Sequence, residues 1–216
     1  MSARIITYSN DPSNKNMSIQ DWICYCARVS NPSNQHNNLN NERLINYLIS
    51  NHHWSPFEMI SICLEIETTR DIARQILRHR SFSFQEFSQR YAVQENSFLI
   101  RETRLQDYKN RQNSLECSDN DLILEWNKRQ EKIQLLIQEN YKWAIENGIA
   151  KEQARIILPE GMTPSKLYMN GTLRSWIHYI ELRTHISTQK EHREIALLCA
   201  KEIEKIFPLI KNFISN

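Results

Sequence analysis

"FEMISICLEIETTRDIARQILRHR", residues 57–80, changes its period once, at position 70. Before it, Phe57, Met59, Ser61, Cys63, Glu65 and Glu67 fall on one face of an extended chain. Ile60, Ile62, Leu64 and Ile66 fall on the other. That alternation predicts a strand over 57–69 with one strongly apolar face. After it, Ile72, Ala73, Ile76 and Leu77 recur at helical spacing, predicting a helix over 70–80.

The same reading extends in both directions. "SIQDWICYCARVS" (18–30) and "NNERLINYLIS" (40–50) read as helices, with the polar run 31–41 as a surface loop between them. Residues 119–147 read as one long helix, capped by Ser118 and stopped by Gly148. Its periodic residues are Ile123, Trp126, Ile133, Leu136, Ile137, Tyr141 and Ala144. "KEQARIIL" (151–158) is a short helix closed by Pro159, and "PSKLYMNG" (164–171) a strand. Residues 172–183 and 189–207 are two further helices. The prediction is an α+β protein: one helix-rich domain over 1–216 with a small, mostly antiparallel sheet.

Composition narrows the function. The net charge of +2 lacks the basic footprint of a general nucleic-acid binder. No run of about 18 apolar residues suggests a membrane span. The N-terminus lacks a signal peptide's apolar core, so a cytoplasmic location is expected. Five scattered cysteines read as reduced thiols. The chain has only three glycines, Gly148, Gly161 and Gly171, too dispersed for a P-loop or a GxGxxG turn. Any phosphate must therefore be gripped by side chains, for which arginine is best suited.

The stretch "RHRSFSFQEFSQR" (78–90) supplies such side chains. Arg78, His79, Arg80, Ser88 and Arg90 surround one carboxylate, Glu86, with Phe82, Phe84 and Phe87 between them. Arg155, Arg174 and Arg183 stand among apolar helix residues. The last two are nine residues apart, about 900° of helix, and so point to opposite sides. His52, His53 and Glu58, or His192 with Glu194, allow a metal-dependent hydrolase to be considered, but there is no HExxH and no metal is expected. Ser83 and Ser88 lack a nucleophile elbow. A non-catalytic nucleotide- or RNA-binding module is the other alternative.

"RHRSFSFQEFSQRY" resembles the signature of the flavin-dependent thymidylate synthases: RHR, seven residues, then Ser. "CARVS", "HHWSPFE", "ARQILRHR", "ARIILP" and "LRSWIHYIELR" resemble further segments of that family, in its order. The resemblance implies the thymidylate-synthase-complementing-type fold and a homotetramer with active sites where subunits meet. It implies reductive methylation of dUMP to dTMP without an enzyme nucleophile. Methylenetetrahydrofolate would supply the carbon and NADPH would reduce FAD. By resemblance, His53, Ser55, Arg78, His79, Arg80, Glu86, Thr172, Arg174 and His178 contact the flavin. Gln75, Arg78, Glu86, Ser88, Arg90, Arg155 and Arg183 contact the nucleotide. Arg183 resembles the arginine near the uracil ring, proposed to favour loss of the N3 proton.

Overall fold

The computed structural model describes residues 1–14, 16–94 and 97–215. The chain runs β1 (Ser2–Tyr8), α1 (Ile19–Ala27), α2 (Asn41–Ser50), β2 (Ser61–Thr69), α3 (Arg70–Ile76) and β3 (Ser83–Glu86). There follow β4 (Arg104–Gln106), β5 (Ser114–Glu116), α4 (Asn120–Glu146), α5 (Lys151–Ala154), β6 (Pro164–Thr172), α6 (Leu173–Thr184) and α7 (Lys190–Glu204).

Four strands form a sheet in the order β1-β2-β6-β3, every neighbouring pair antiparallel; β4 and β5 form a separate antiparallel pair. The α+β prediction with a small antiparallel sheet therefore holds. The register from Ser61↔Thr172 to Thr69↔Pro164 puts Ile62, Leu64 and Ile66 on the same face as Leu167 and Met169, and all five are fully buried. Helices α3, α6 and α7 cover that face. The Trp176 indole N–H of α6 donates to the Ile62 carbonyl over 3.0 Å, tying helix to sheet. Each such aliphatic side chain contributes about 1.5–3 kcal/mol by leaving water. The other face is polar, with Arg4 bonded to Glu65 at 2.7 Å and Lys166 to Glu67 at 2.9 Å.

Several boundaries differ from the sequence reading. The strand begins at Ser61, because Pro56 opens a 3-10 turn over Ser55–Met59 that swings Phe57 into the core. Helix α3 ends at Ile76; the amides of Arg78 and His79 reach back three residues, to Gln75 and Ile76, and close the chain into a turn. Asp119, not Ser118, caps α4, its carboxylate accepting from the Leu122 amide at 3.0 Å. Gly148 does stop that helix, at φ +76. Of the α4 stripe, Ile137, Tyr141 and Ala144 join a small second core with Phe98, Ala154 and Leu158. Trp126, Ile133 and Leu136 remain 43%, 45% and 60% exposed. The run 31–41 is mainly surface, with one 3-10 turn at Pro32–Asn34, but Asn41 is buried where Arg28 donates to it at 2.8 Å. Cys24 and Cys199 are buried and Cys26, Cys63 and Cys117 half-buried, all as free thiols.

Candidate active site

Two junctions position the polar residues: the β2–α3–β3 passage and the β6–α6 corner. At the first, the turn after α3 carries Arg78, His79 and Arg80, and β3 then pairs with β6. Arg78 and Arg80 are exposed, and neither makes an ion pair or side-chain hydrogen bond among the described residues. His79 turns inward instead. The Arg183 Nε–H of α6 donates to His79 Nε2 at 2.9 Å, and the Tyr179 ring lies edge-on to the imidazole at 4.9 Å. Burial, reinforced by the Arg183 charge, lowers the His79 pKa to about 4. It is a neutral acceptor.

Behind it stands a second histidine. His192 is fully buried, with Nε2 3.2 Å from the Tyr179 hydroxyl and Nδ1 3.3 Å from Gln75 Oε1. Burial, then Arg183 and His79, lowers its pKa to about 3. Both its nitrogens are engaged, so it does not pair with Glu194 as a metal ligand. Among the described residues no group of three or more metal-capable side chains gathers.

A second group forms around Glu86 and Arg155. Ser165 Oγ donates to Glu86 Oε1 at 2.8 Å, and Arg70 Nη1 lies 3.6 Å from the same oxygen. Arg70 is 8% exposed, and its Nη1 has no hydrogen-bond partner. It lines a cavity of about 400 Å³ together with Arg74, Gln89, Glu152, Arg155 and Glu160. Arg155 Nε donates to the Glu152 carbonyl, and Arg90 Nε to the Glu152 carboxylate, each at 3.3 Å. The Ser88 hydroxyl accepts from the Arg90 amide at 3.3 Å.

The third group lies where the 55–59 turn packs on α6. Arg174 pairs with Glu58, and the His178 ring meets Trp54 edge-on at 5.0 Å. Ser55 begins the turn and is exposed, as is His53 beside Tyr47. Thr172 caps α6, accepting from the Ser175 amide at 3.3 Å, so its hydroxyl serves the helix. The helix is unbroken, and Arg174 and Arg183 meet different partners, as their spacing predicts.

The Ser175 hydroxyl, beside Thr172, donates to the Ser81 carbonyl at 3.3 Å and so ties the third group to the arginine turn. Sequence reading missed Arg70, Tyr179 and Gln189, and placed His192 only with metals. A cation directly after a buried strand was the available signal for Arg70. The others are legible only once α6 and α7 are packed.

The sequence profile of the thymidylate synthase complementing protein family matches residues 13–209. The chain is 48% identical over 210 residues, 97% of each chain, to a probable flavin-dependent thymidylate synthase of Paramecium bursaria Chlorella virus 1. It is 49% identical to the flavin-dependent thymidylate synthase of Synechocystis sp., covering 90% of this chain and 88% of the relative. The UMP/dUMP methylase PolB from Streptomyces cacaoi, solved bound with 5-Br UMP, superposes at a TM-score of 0.83 with 25% identity, over 98% of this chain and 92% of that one. With the whole fold matched and close relatives at nearly half identity, the chain belongs to the flavin-dependent thymidylate synthases and is an enzyme of that family.

Proposed function

We propose that the protein converts dUMP to dTMP, taking a one-carbon unit from methylenetetrahydrofolate and reducing equivalents from NADPH through FAD. Tetrahydrofolate and NADP⁺ leave with the product. The observation that carries this reading is the Arg70–Arg155 cavity. Arg70, Arg74 and Arg155 line it together, and Glu86, which pairs with Arg70 from 3.6 Å, is too far for a full hydrogen bond. A nucleotide phosphate in the cavity would complete these guanidiniums.

The residues fit a flavin dinucleotide as well. Its pyrophosphate needs donors, the chain has no glycine cradle, and Arg78 and Arg80 are guanidiniums without acidic partners among the described residues. FAD when bound supplies the redox chemistry; the protein supplies binding, orientation and electrostatics. Arg78, Arg80, Arg174 and His178, with His53, Ser55 and the Thr172 corner, would hold the flavin. Glu86 would stand between flavin and nucleotide. Gln75, Ser88, Arg90, Arg155 and, added by its position, Arg70 would hold dUMP.

Arg183 has the clearest role. A guanidinium carries five N–H donors, of which Nε is committed to His79, so the Nη groups remain for the uracil. Beside the ring they stabilise the negative charge left when the N3 proton departs, an effect worth a few kcal/mol in a water-poor site. Neutral His79 holds that aim without competing charge. Ser88 donates or accepts a hydrogen bond and attacks nothing.

We further infer that residues 1–216 act as one domain and assemble as a homotetramer that completes each site. In support, Leu122, Trp126, Ile133, Leu136 and Trp143 recur at helical spacing on α4 and stay 43–60% exposed. The test is direct. The purified protein should be yellow and should form thymidylate only when NADPH and methylenetetrahydrofolate are both present. A colourless protein that never takes up FAD would end this reading.

A further inference from the structure

Glu191, the second residue of α7, is clamped by Arg104 and by Arg101, whose Nη1 lies 3.3 Å away. Burial works to raise its pKa, but the Arg104 hydrogen bond and other donors outweigh this and hold it below the usual carboxylate value. It is therefore an acceptor only. That single fact orients a chain of side chains leading away from it.

Gln189 lies 2.9 Å from Glu191 Oε2, so it must present Nε2 there and Oε1 to its next neighbour. That neighbour is Gln75, at 2.7 Å, which must answer with Nε2. Gln75 Oε1 then faces His192, so His192 Nδ1 carries the proton. A neutral imidazole protonated on Nδ1 accepts on Nε2, and the Tyr179 hydroxyl donates to it. Full burial keeps that hydroxyl protonated by raising its pKa. Every hydrogen bond from Tyr179 to Glu191 runs one way, with no link reversible unless all are.

The outcome bears on Gln75, at the C-terminal end of α3 beside the arginine turn. Its carbonyl oxygen is held inward, against the fully buried His192, and its NH₂ lies on the outer, half-buried side with Gln189. We propose that His192 is a positioning residue: with Gln189 it locks the Gln75 amide so that the nucleotide meets an N–H donor and never a carbonyl. Gln75 thereby selects an acceptor oxygen, either a phosphate oxygen or a pyrimidine carbonyl. The inference rests on the reading above in which Gln75 touches the nucleotide.

The test uses the flavin-loaded, full-length enzyme and dUMP itself, with Kd from calorimetry beside KM and kcat. His192→Leu and Gln189→Met should each weaken dUMP binding and raise KM about tenfold, the value of one hydrogen bond, with kcat within about twofold. His192→Asn keeps a donor where Nδ1 stands and should bring Kd back to within about threefold of the parent. If His192→Leu does not fold, Gln189→Met at its half-buried position carries the test. Competition by inorganic phosphate separates the two oxygens: it weakens in parallel if Gln75 serves the phosphate and is unchanged if it serves the ring. Gln75→Ala is the control. If it weakens dUMP binding while Gln189→Met does not, the relay is refuted and the contact stands. If Gln75→Ala leaves Kd unchanged, the assignment of Gln75 to the nucleotide fails, and the relay proposal falls with it.

Discussion

Arg183 and His79 are joined by a 2.9 Å hydrogen bond in which the guanidinium donates and the imidazole accepts. The bond links α6 to the turn after α3, and it requires His79 to be neutral. Arg183→Ala should reduce thymidylate formation at least a hundredfold while the protein still purifies with its flavin. Arg183→Lys keeps a charge but has no Nε–H to be aimed by His79 and should recover little of the loss. Turnover near the parent rate in the alanine variant would remove the proposed role.

The two histidines make stability depend on pH. Unfolded, each titrates near 6.5; folded, His79 titrates at about 4 and His192 at about 3, through burial first and the Arg183 charge second. Between those values the unfolded chain binds more protons, so stability rises with pH. It is fully present above about pH 6.5 and is lost as pH falls toward 4, with a slope of up to about 1.4 kcal/mol per pH unit for each histidine. Denaturant titrations at several pH values would show it, and His192→Asn should lower the slope. A stability profile flat from pH 7 to 5 would contradict the placement of both rings.

Much of this arrangement was legible beforehand, and the illegible part has a pattern. The β2 face, the β6 strand, both late helices and the opposed directions of Arg174 and Arg183 followed from period alone. Strands β1, β3, β4 and β5 did not, because three of them are only three or four residues long and gain their identity from a partner strand. Three residues of the α4 stripe, Trp126, Ile133 and Leu136, face outward, since periodicity marks an apolar face without saying what covers it. Arg70, Tyr179 and Gln189 take their meaning from Glu86, His192 and Gln75, which lie 16, 13 and 114 positions away in the chain. Spacing rules do not reach that far.

Arg70 offers a sharper probe of the cavity. Arg70→Met retains most of the volume and removes the charge. It should weaken dUMP binding by roughly 10- to 100-fold, the range for a charge-assisted hydrogen bond. Calorimetry with dUMP and with deoxyuridine would decide it. A loss confined to dUMP places the phosphate there, whereas equal losses for both compounds would rule that out.

Ser88 serves as a discriminating control. Ser88→Ala removes a hydroxyl that already accepts from the Arg90 amide, and activity should drop no more than about tenfold. Complete inactivation with the flavin still bound would reopen a nucleophilic role.

Assembly is tested at α4. Leu136 and Trp143 lie two turns apart, and both are about three-fifths exposed. Leu136→Glu combined with Trp143→Glu should shift the mass measured by light scattering from that of the proposed tetramer toward smaller species, with activity falling in step. An unaltered tetramer would mean that another surface holds the subunits together.

Gly171 lies directly beneath the Phe82 ring; a side-chain carbon there would come within 2.6 Å of the ring's Cε1. Phe82 is seated in turn against Trp176, at 4.9 Å between centroids. One of three glycines in the chain thus lets an aromatic wedge sink into the sheet, and that wedge carries the turn bearing Arg78 and Arg80. The backbone that bears those cations is therefore fixed before any anion arrives. Ligand capture begins from a rigid platform, and little backbone entropy is surrendered in the encounter.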